Sequence, residues 1–160
     1  IKGDIIDPWT ILDAESLLPV IYKTMRDRGV TMPLPSAEWI ADARKKGSQL
    51  IGRLKRMIAN SGHIPDLAGV GNLIITPNGE ICLVDINNIS QVCSDSTIPL
   101  DGKGYPGCDK SIEALSLIEK KIVGRPINME EKLYKQFLTS QRKNLVQEKV
   151  ELFSEKFVGQ

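Results

Sequence analysis

The chain has 160 residues, 41% hydrophobic and 26% charged, so it can bury a sizeable core as one domain and is not disordered by composition. Its 21 basic and 20 acidic side chains leave a formal net charge of +1, which argues against a surface that seeks nucleic acid generally. No run of about eighteen apolar residues predicts a membrane span and no secretory pattern is visible; Cys82, Cys93 and Cys108, an odd set without a close pair, disfavour a disulfide framework or zinc site and point to a reducing cytoplasm.

Taken in chain order, Ile5-Ile6-Asp7-Pro8-Trp9 precedes a first predicted helix over residues 12 to about 28. Ser36 is the expected N-cap of a long helix over residues 37–60, where Trp39, Ile40, Ala43, Gly47, Leu50, Ile51, Leu54, Met57 and Ile58 recur at helical spacing. Ser61-Gly62 is its natural stop. Arg44, Lys45, Lys46, Arg53, Lys55 and Arg56 cluster on it with little acid opposite; a solvated face is the ordinary explanation, contact with an acidic partner the alternative. His63-Ile64-Pro65-Asp66 follows as a loop.

Residues 73–76 and 81–84 then read as two short strands, with Pro77-Asn78-Gly79 reversing the chain between them. This hairpin brings its ends together, and those ends carry two oxygen-bearing side chains, Asn72 and Asp85, in an arrangement that can hold a metal. An Asn before an apolar hairpin and an Asp after it is also an ordinary surface pattern, so the order of the surrounding elements carries the weight. Residues 91–107 are polar and poor in apolar side chains, as expected of a long functional loop or a disordered connection, with Ser94, Ser96, Thr97 and Tyr105 as possible phosphate acceptors. A helix over residues 109–119 leads to Val123-Gly124-Arg125-Pro126. Asn128 can cap a last helix with Glu130 and Glu131 in its first turn; the stripe Leu133, Tyr134, Phe137 and Leu138 continues more sparsely through Leu145, Val146, Val150, Phe153 and Phe157, as one helix or two.

The succession of long helix, His and Asp loop, Asn, hairpin and Asp over residues 37–126 resembles the large, C-terminal lobe of the protein-kinase-like superfamily, where the spacing 85 − 72 = 13 separates the catalytic-loop Asn from the Asp of Asp-Phe-Gly. The resemblance implies that Asn72 and Asp85 are magnesium ligands, that Asp66 is the catalytic base, that ATP is the nucleotide, and that Asp109 opens a buried helix and hydrogen-bonds the catalytic-loop backbone. The chain departs from the family's pattern at several points. Asp66 to Asn72 is one residue longer than in kinases, and His63 precedes Asp66 by three residues instead of two. Ala68 stands where protein kinases carry a Lys, and Tyr105-Pro106-Gly107 where Ala-Pro-Glu usually closes the activation segment. In place of Asp-Phe-Gly the chain has Asp85-Ile86-Asn87, with Asn87 expected to tolerate the left-handed conformation of the Gly. These departures imply a small-molecule-kinase relative or a degenerate member. Neither a Gly-x-Gly-x-x-Gly loop nor a Val-Ala-Ile-Lys-like strand precedes the long helix, so this chain alone is not expected to form the full nucleotide cleft, and whether a small lobe lies upstream stays open at this point.

The expectation is a mainly α-helical α+β domain over residues 1–160, with the metal ligands on a short β-hairpin. As a function, ATP- and magnesium-dependent phosphoryl transfer to an unidentified acceptor leads. A non-catalytic, pseudokinase-like binding module and a helical adaptor for an acidic protein partner are the alternatives.

Overall fold

The computed structural model describes residues 2–158. The chain is α+β and about half helical. In order the elements are β1 (Asp4–Ile5), α1 (Leu17–Asp27), α2 (Ser36–Ser61), β2 (His63–Pro65), β3 (Leu73–Ile75), β4 (Ile81–Leu83), β5 (Ile89–Gln91), α3 (Gly107–Ile118), α4 (Lys132–Phe137) and α5 (Ser140–Val158). A π-helical turn, Glu119–Val123, prolongs α3. The strands form two small antiparallel sheets, one ordered β1-β3-β4 and the other pairing β2 with β5.

Helix α2 is the backbone of the core. Trp39, Ala43, Gly47, Ile51, Leu54 and Ile58 lie on one buried stripe, as the helical spacing predicts, and Met57 falls outside it. Full burial of a side chain such as Ile51 stabilises by roughly 1.5–3 kcal/mol. Ser36 is not the cap but the first helical residue; Pro35 takes the cap position, and its carbonyl accepts the Trp39 amide at 2.9 Å. At the other end Gly62 adopts φ +67 and returns its amide to the Ile58 carbonyl, which no β-carbon-bearing residue does without strain.

The 73–84 hairpin lies along α2. Trp39 donates its indole N–H to the Pro77 carbonyl at 2.8 Å, and Lys46 reaches the Asn78 carbonyl at 2.6 Å. A β-carbon on Gly47 would come within 2.9 Å of Ile122 Cγ2, so the absence of a side chain there lets α2 approach the π-helical turn. The register is Leu73 opposite Leu83 and Ile75 opposite Ile81, with Leu73, Ile75 and Ile81 buried. Both strands are one residue shorter than expected. The chain is still paired beyond them, because Thr76 and Val84 donate to the Glu80 and Asn72 carbonyls, each at 2.9 Å.

Other boundaries move further. The first helix starts at Leu17 instead of residue 12, because the Asp13 carboxylate accepts the Glu15 and Ser16 amides and holds the preceding residues in turns. The residues after Gly62, expected as loop, form β2. The terminal stripe is two helices: Thr139 Oγ1 accepts the Arg142 amide at 3.2 Å and starts α5 anew. Asn128 accepts the Glu130 amide but makes a turn, since α4 begins only at Lys132. Among the described residues no helix is long and apolar enough to cross a membrane.

Candidate functional site

The bond from the Val84 amide to the Asn72 carbonyl extends the ladder past Leu73 and Leu83, so Asn72 lies at the mouth of the hairpin with Asp85 next along the opposite strand. Asn72 is oriented by its own amide: Nδ2 donates to the Asp66 carbonyl at 3.0 Å, which leaves Oδ1 as the free end. Space for that amide depends on Gly69, where a β-carbon would sit 2.6 Å from Asn72 Nδ2. Gly71, at φ +92, completes the turn that carries the Gly69 carbonyl to the Asn72 amide.

Asp66 is held by its main chain and by one carboxylate oxygen. Its amide donates to the Asn88 carbonyl at 2.9 Å, and Oδ1 accepts the Ala68 and Gly69 amides at 3.0 and 3.2 Å. Asp85 Oδ1 accepts the Asn87 amide at 3.0 Å. Among the described residues, Asn72 Oδ1, Asp66 Oδ2 and Asp85 Oδ2 have no hydrogen-bond donor from the protein. Free oxygens on Asn72 and Asp85 are the donor chemistry a hard divalent cation takes, and magnesium commonly uses one or two protein carboxylates plus substrate phosphates instead of a closed protein cage. No group of three or more His, Cys, Asp or Glu side chains that could hold a metal lies among the described residues.

Several expectations around this loop need correction. Asp109 makes no hydrogen bond to the backbone of the 66–72 loop. It lies in the first turn of α3 and pairs with Arg142, while Ser111, one half-turn on, accepts the Leu67 amide on its hydroxyl oxygen at 3.4 Å. Asn87 is not left-handed, since among the described residues only glycines have positive φ; the Asp85 carboxylate turns the chain instead. His63 is exposed on β2, with its ring Nδ1 at 2.7 Å from the Ser61 carbonyl, and no hydrogen bond joins it to Asp66.

Two residues that local sequence patterns do not reveal brace the loop. Trp9 donates its indole N–H to the Ala68 carbonyl at 2.8 Å, across 59 positions of sequence. Lys121 then ties the Trp9 segment down by bonding the Pro8 and Thr10 carbonyls. A tryptophan following Asp-Pro near a predicted loop was the available signal, but nothing local names its partner.

Beside Asp66 opens a cleft of about 610 Å³, whose walls include Asn87, Asn88, Ser90, Gln91, Lys103 and Tyr105. The 91–107 segment that forms much of it is irregular, yet it is pinned. Arg142 donates to the Ser96 and Thr97 carbonyls, Lys149 to the Ile98 carbonyl and Gln136 to the Cys93 carbonyl. Asp101 closes a tight turn by accepting the Lys103 and Tyr105 amides, and these bonds hold its carboxyl below the usual range. Burial raises the Tyr105 phenol above its ordinary value, aided by the negative charges of Asp66, Asp101 and Glu113. All three cysteines are free; burial, with the Asp109 charge adding to it, pushes the Cys108 thiol up to about 12.

The sheet that carries the hairpin also has an apolar ledge. Ile5, Ile74 and Cys82 are register partners across β1, β3 and β4, so their side chains share the sheet face opposite the core, and Val84 continues it. Ile5, Val84 and Ile86 are 52%, 44% and 63% exposed. The basic cluster on α2 is less available than its composition suggests. Arg44 bonds the Ala14 carbonyl, Lys46 bonds Asn78 and Asp42, and Lys55 bonds Glu119 and Glu131.

Compared with protein-family models, curated proteins and solved structures, the chain matches none of them. Fold and site therefore define, by themselves, an α+β domain whose hairpin mouth presents free Asn and Asp oxygens next to an Asp-bearing loop.

Proposed function

We propose that the chain is the large lobe of a kinase-like phosphotransferase acting on ATP with magnesium. The observation that supports this reading is the set of groups at the hairpin mouth: the Asn72 amide is engaged by the Asp66 carbonyl, one oxygen of Asn72 and one of Asp85 have no protein donor among the described residues, Asp85 follows the Val84 that faces Asn72, and the Asp66 carboxylate lies on the adjoining loop. Asn72 and Asp85 would hold magnesium, which when bound neutralises charge on the phosphates of the nucleotide. The ledge of Ile5, Ile74 and Val84 supplies an apolar surface for a nucleobase, and Asp66 Oδ2 accepts the proton of the attacking hydroxyl. Such chemistry depends chiefly on positioning and charge, so the bracing of the loop by Trp9 and Ser111 is part of the site.

The test uses manganese as a paramagnetic stand-in. In NMR spectra of the chain with ATP, traces of Mn²⁺ should broaden the amides of Asn72, Val84, Asp85 and Ile86 before others, and Asp85→Asn should abolish this selectivity. Broadening that is uniform, or that survives Asp85→Asn, rejects the reading. One feature favours a non-catalytic, pseudokinase-like binding module as the second reading. Asp66 Oδ1 is engaged by two amides, and Ala68 leaves the loop without a cation for the transferred phosphate. Selective manganese broadening without phosphoryl transfer in any protein that contains this domain would favour that second reading.

A further inference from the structure

We infer that the cleft beside Asp66 is an acceptor pocket for a small, neutral, polyhydroxylated molecule of the sugar class. The inference rests on the phosphotransfer reading for the role of Asp66, and otherwise on the walls of the cleft. Asn87, Asn88 and Gln91 line it, and among the described residues their side-chain amides make no hydrogen bond to protein. Each amide offers two donors and an acceptor, the complement of a ring bearing adjacent hydroxyls, and Ser90 and Tyr105 add hydroxyl groups of their own.

Charge selects against other acceptors. The lining holds two carboxylates, Asp66 and Asp101, against one ammonium, Lys103, so a carboxylate or phosphate on the ligand meets net repulsion. A cationic ligand finds little better: Asp101 is committed to its turn, and Tyr105 is a lone aromatic wall where ammonium sites commonly use several. Shape selects as well. At about 610 Å³ the space falls among small-molecule pockets, not extended peptide grooves. The 101–105 turn forms one wall and is seated on α5, where a β-carbon on Gly104 would collide with Phe153 at 2.3 Å. Ile89, Leu100 and the Tyr105 ring give apolar patches among these polar groups, which suits the C–H faces of a sugar ring.

In the reaction, one acceptor hydroxyl oxygen forms a bond to the γ-phosphorus of ATP, the bond from that phosphorus to the β,γ-bridging oxygen breaks, ADP leaves, and the hydroxyl proton passes to Asp66. The products are a sugar phosphate and ADP, with charge and atoms conserved.

The experiment is a titration of the ¹⁵N-labelled chain without nucleotide, using glucose, galactose and maltose, with gluconate, spermidine and a short serine-containing peptide as contrasts, each to tens of millimolar. At least one neutral sugar should saturably shift the side-chain amide signals of Asn87, Asn88 and Gln91, and Asn88→Ala and Gln91→Ala should each weaken it severalfold. Equal or tighter binding of gluconate, spermidine or the peptide, or no saturable shift with any of the three sugars, overturns the proposal. Because nucleotide is absent, the two readings fail separately. Sugar binding with unselective manganese broadening keeps the pocket and removes phosphotransfer, and the converse keeps phosphotransfer and removes the pocket.

Discussion

Replacing Arg142 by alanine tests whether the wall of the cleft is built by a remote ion pair. Its guanidinium bonds Asp109 through Nε at 2.7 Å and Nη2 at 3.0 Å, with both side chains 7% exposed. It also donates to the Thr97 carbonyl at 2.9 Å and the Ser96 carbonyl at 3.3 Å, and lies 5.0 Å over the Phe137 ring. Truncation leaves Asp109 buried without its partner, a loss of about 3–5 kcal/mol. For a domain of this size each kcal/mol moves Tm by about 2–4 °C, so the melting temperature should fall by roughly 6–20 °C. Urea unfolding gives the first number, and hydrogen exchange of residues 94–99 shows whether the loop opens before the rest. Arg142→Met combined with Asp109→Asn should recover part of the loss, since no isolated charge then remains buried. A fall under about 1 kcal/mol for Arg142→Ala, with unchanged exchange in the loop, would refute the argument that this pair holds the segment.

In any ATP-competent protein containing the domain, Asp85→Asn should lower turnover by orders of magnitude while leaving the melting curve unchanged, because Asn can still accept the Asn87 amide; full activity with an unaltered magnesium requirement would strip the hairpin of mechanistic content. Gly69→Ala should displace the Asn72 side chain and forfeit its bond to Asp66, about 1 kcal/mol of stability, with manganese broadening at Asn72 weakened in the same samples. Glu119 provides a pH test. Desolvation pushes its carboxyl up, but hydrogen bonds from Lys55 and Tyr134 and the charges of Lys55 and Arg125 outweigh that and hold it below the ordinary value of 4.5. A depressed folded value contributes stability above the unfolded one, so the advantage of wild type over Glu119→Gln should be complete above about pH 4.5 and vanish as the pH falls through the folded value; a gap independent of pH over that range would contradict it.

What the sequence reveals here follows the range of the interactions involved. The α2 stripe and the turn through Gly79 are encoded by residues within one or two turns of each other, and both stand where the pattern puts them. Strands β1, β2 and β5 have two or three residues, too few to show an alternation, and they exist because partners far along the chain offer free backbone groups: Asp4 opposite Ile75, His63 opposite Gln91. The position of Asn72 and Asp85 at the ends of the hairpin was legible for the same reason as the hairpin that joins them. The cleft was not, because Arg142 and Lys149 look like solvated helix charges until the fold brings them to the Ser96, Thr97 and Ile98 carbonyls.

The spacing between Asp66 and Asn72, one residue longer than the kinase-like pattern the sequence resembles, is accommodated in physical terms. An extra residue would ordinarily separate the two side chains, and the sequence alone leaves the position of Asp66 open. In the fold the surplus is absorbed locally: Asp66 Oδ1 gathers the Ala68 and Gly69 amides into a turn, Gly71 takes a left-handed conformation, and Asn72 swings back to the Asp66 carbonyl through the space that Gly69 leaves empty. The loop thus keeps its two ends bonded despite the insertion. It engages one carboxylate oxygen and leaves Asp66 Oδ2 without a protein donor among the described residues, on the loop that Trp9 and Ser111 hold from outside; under the proposed phosphotransfer reading, Oδ2 is the oxygen left to accept a proton.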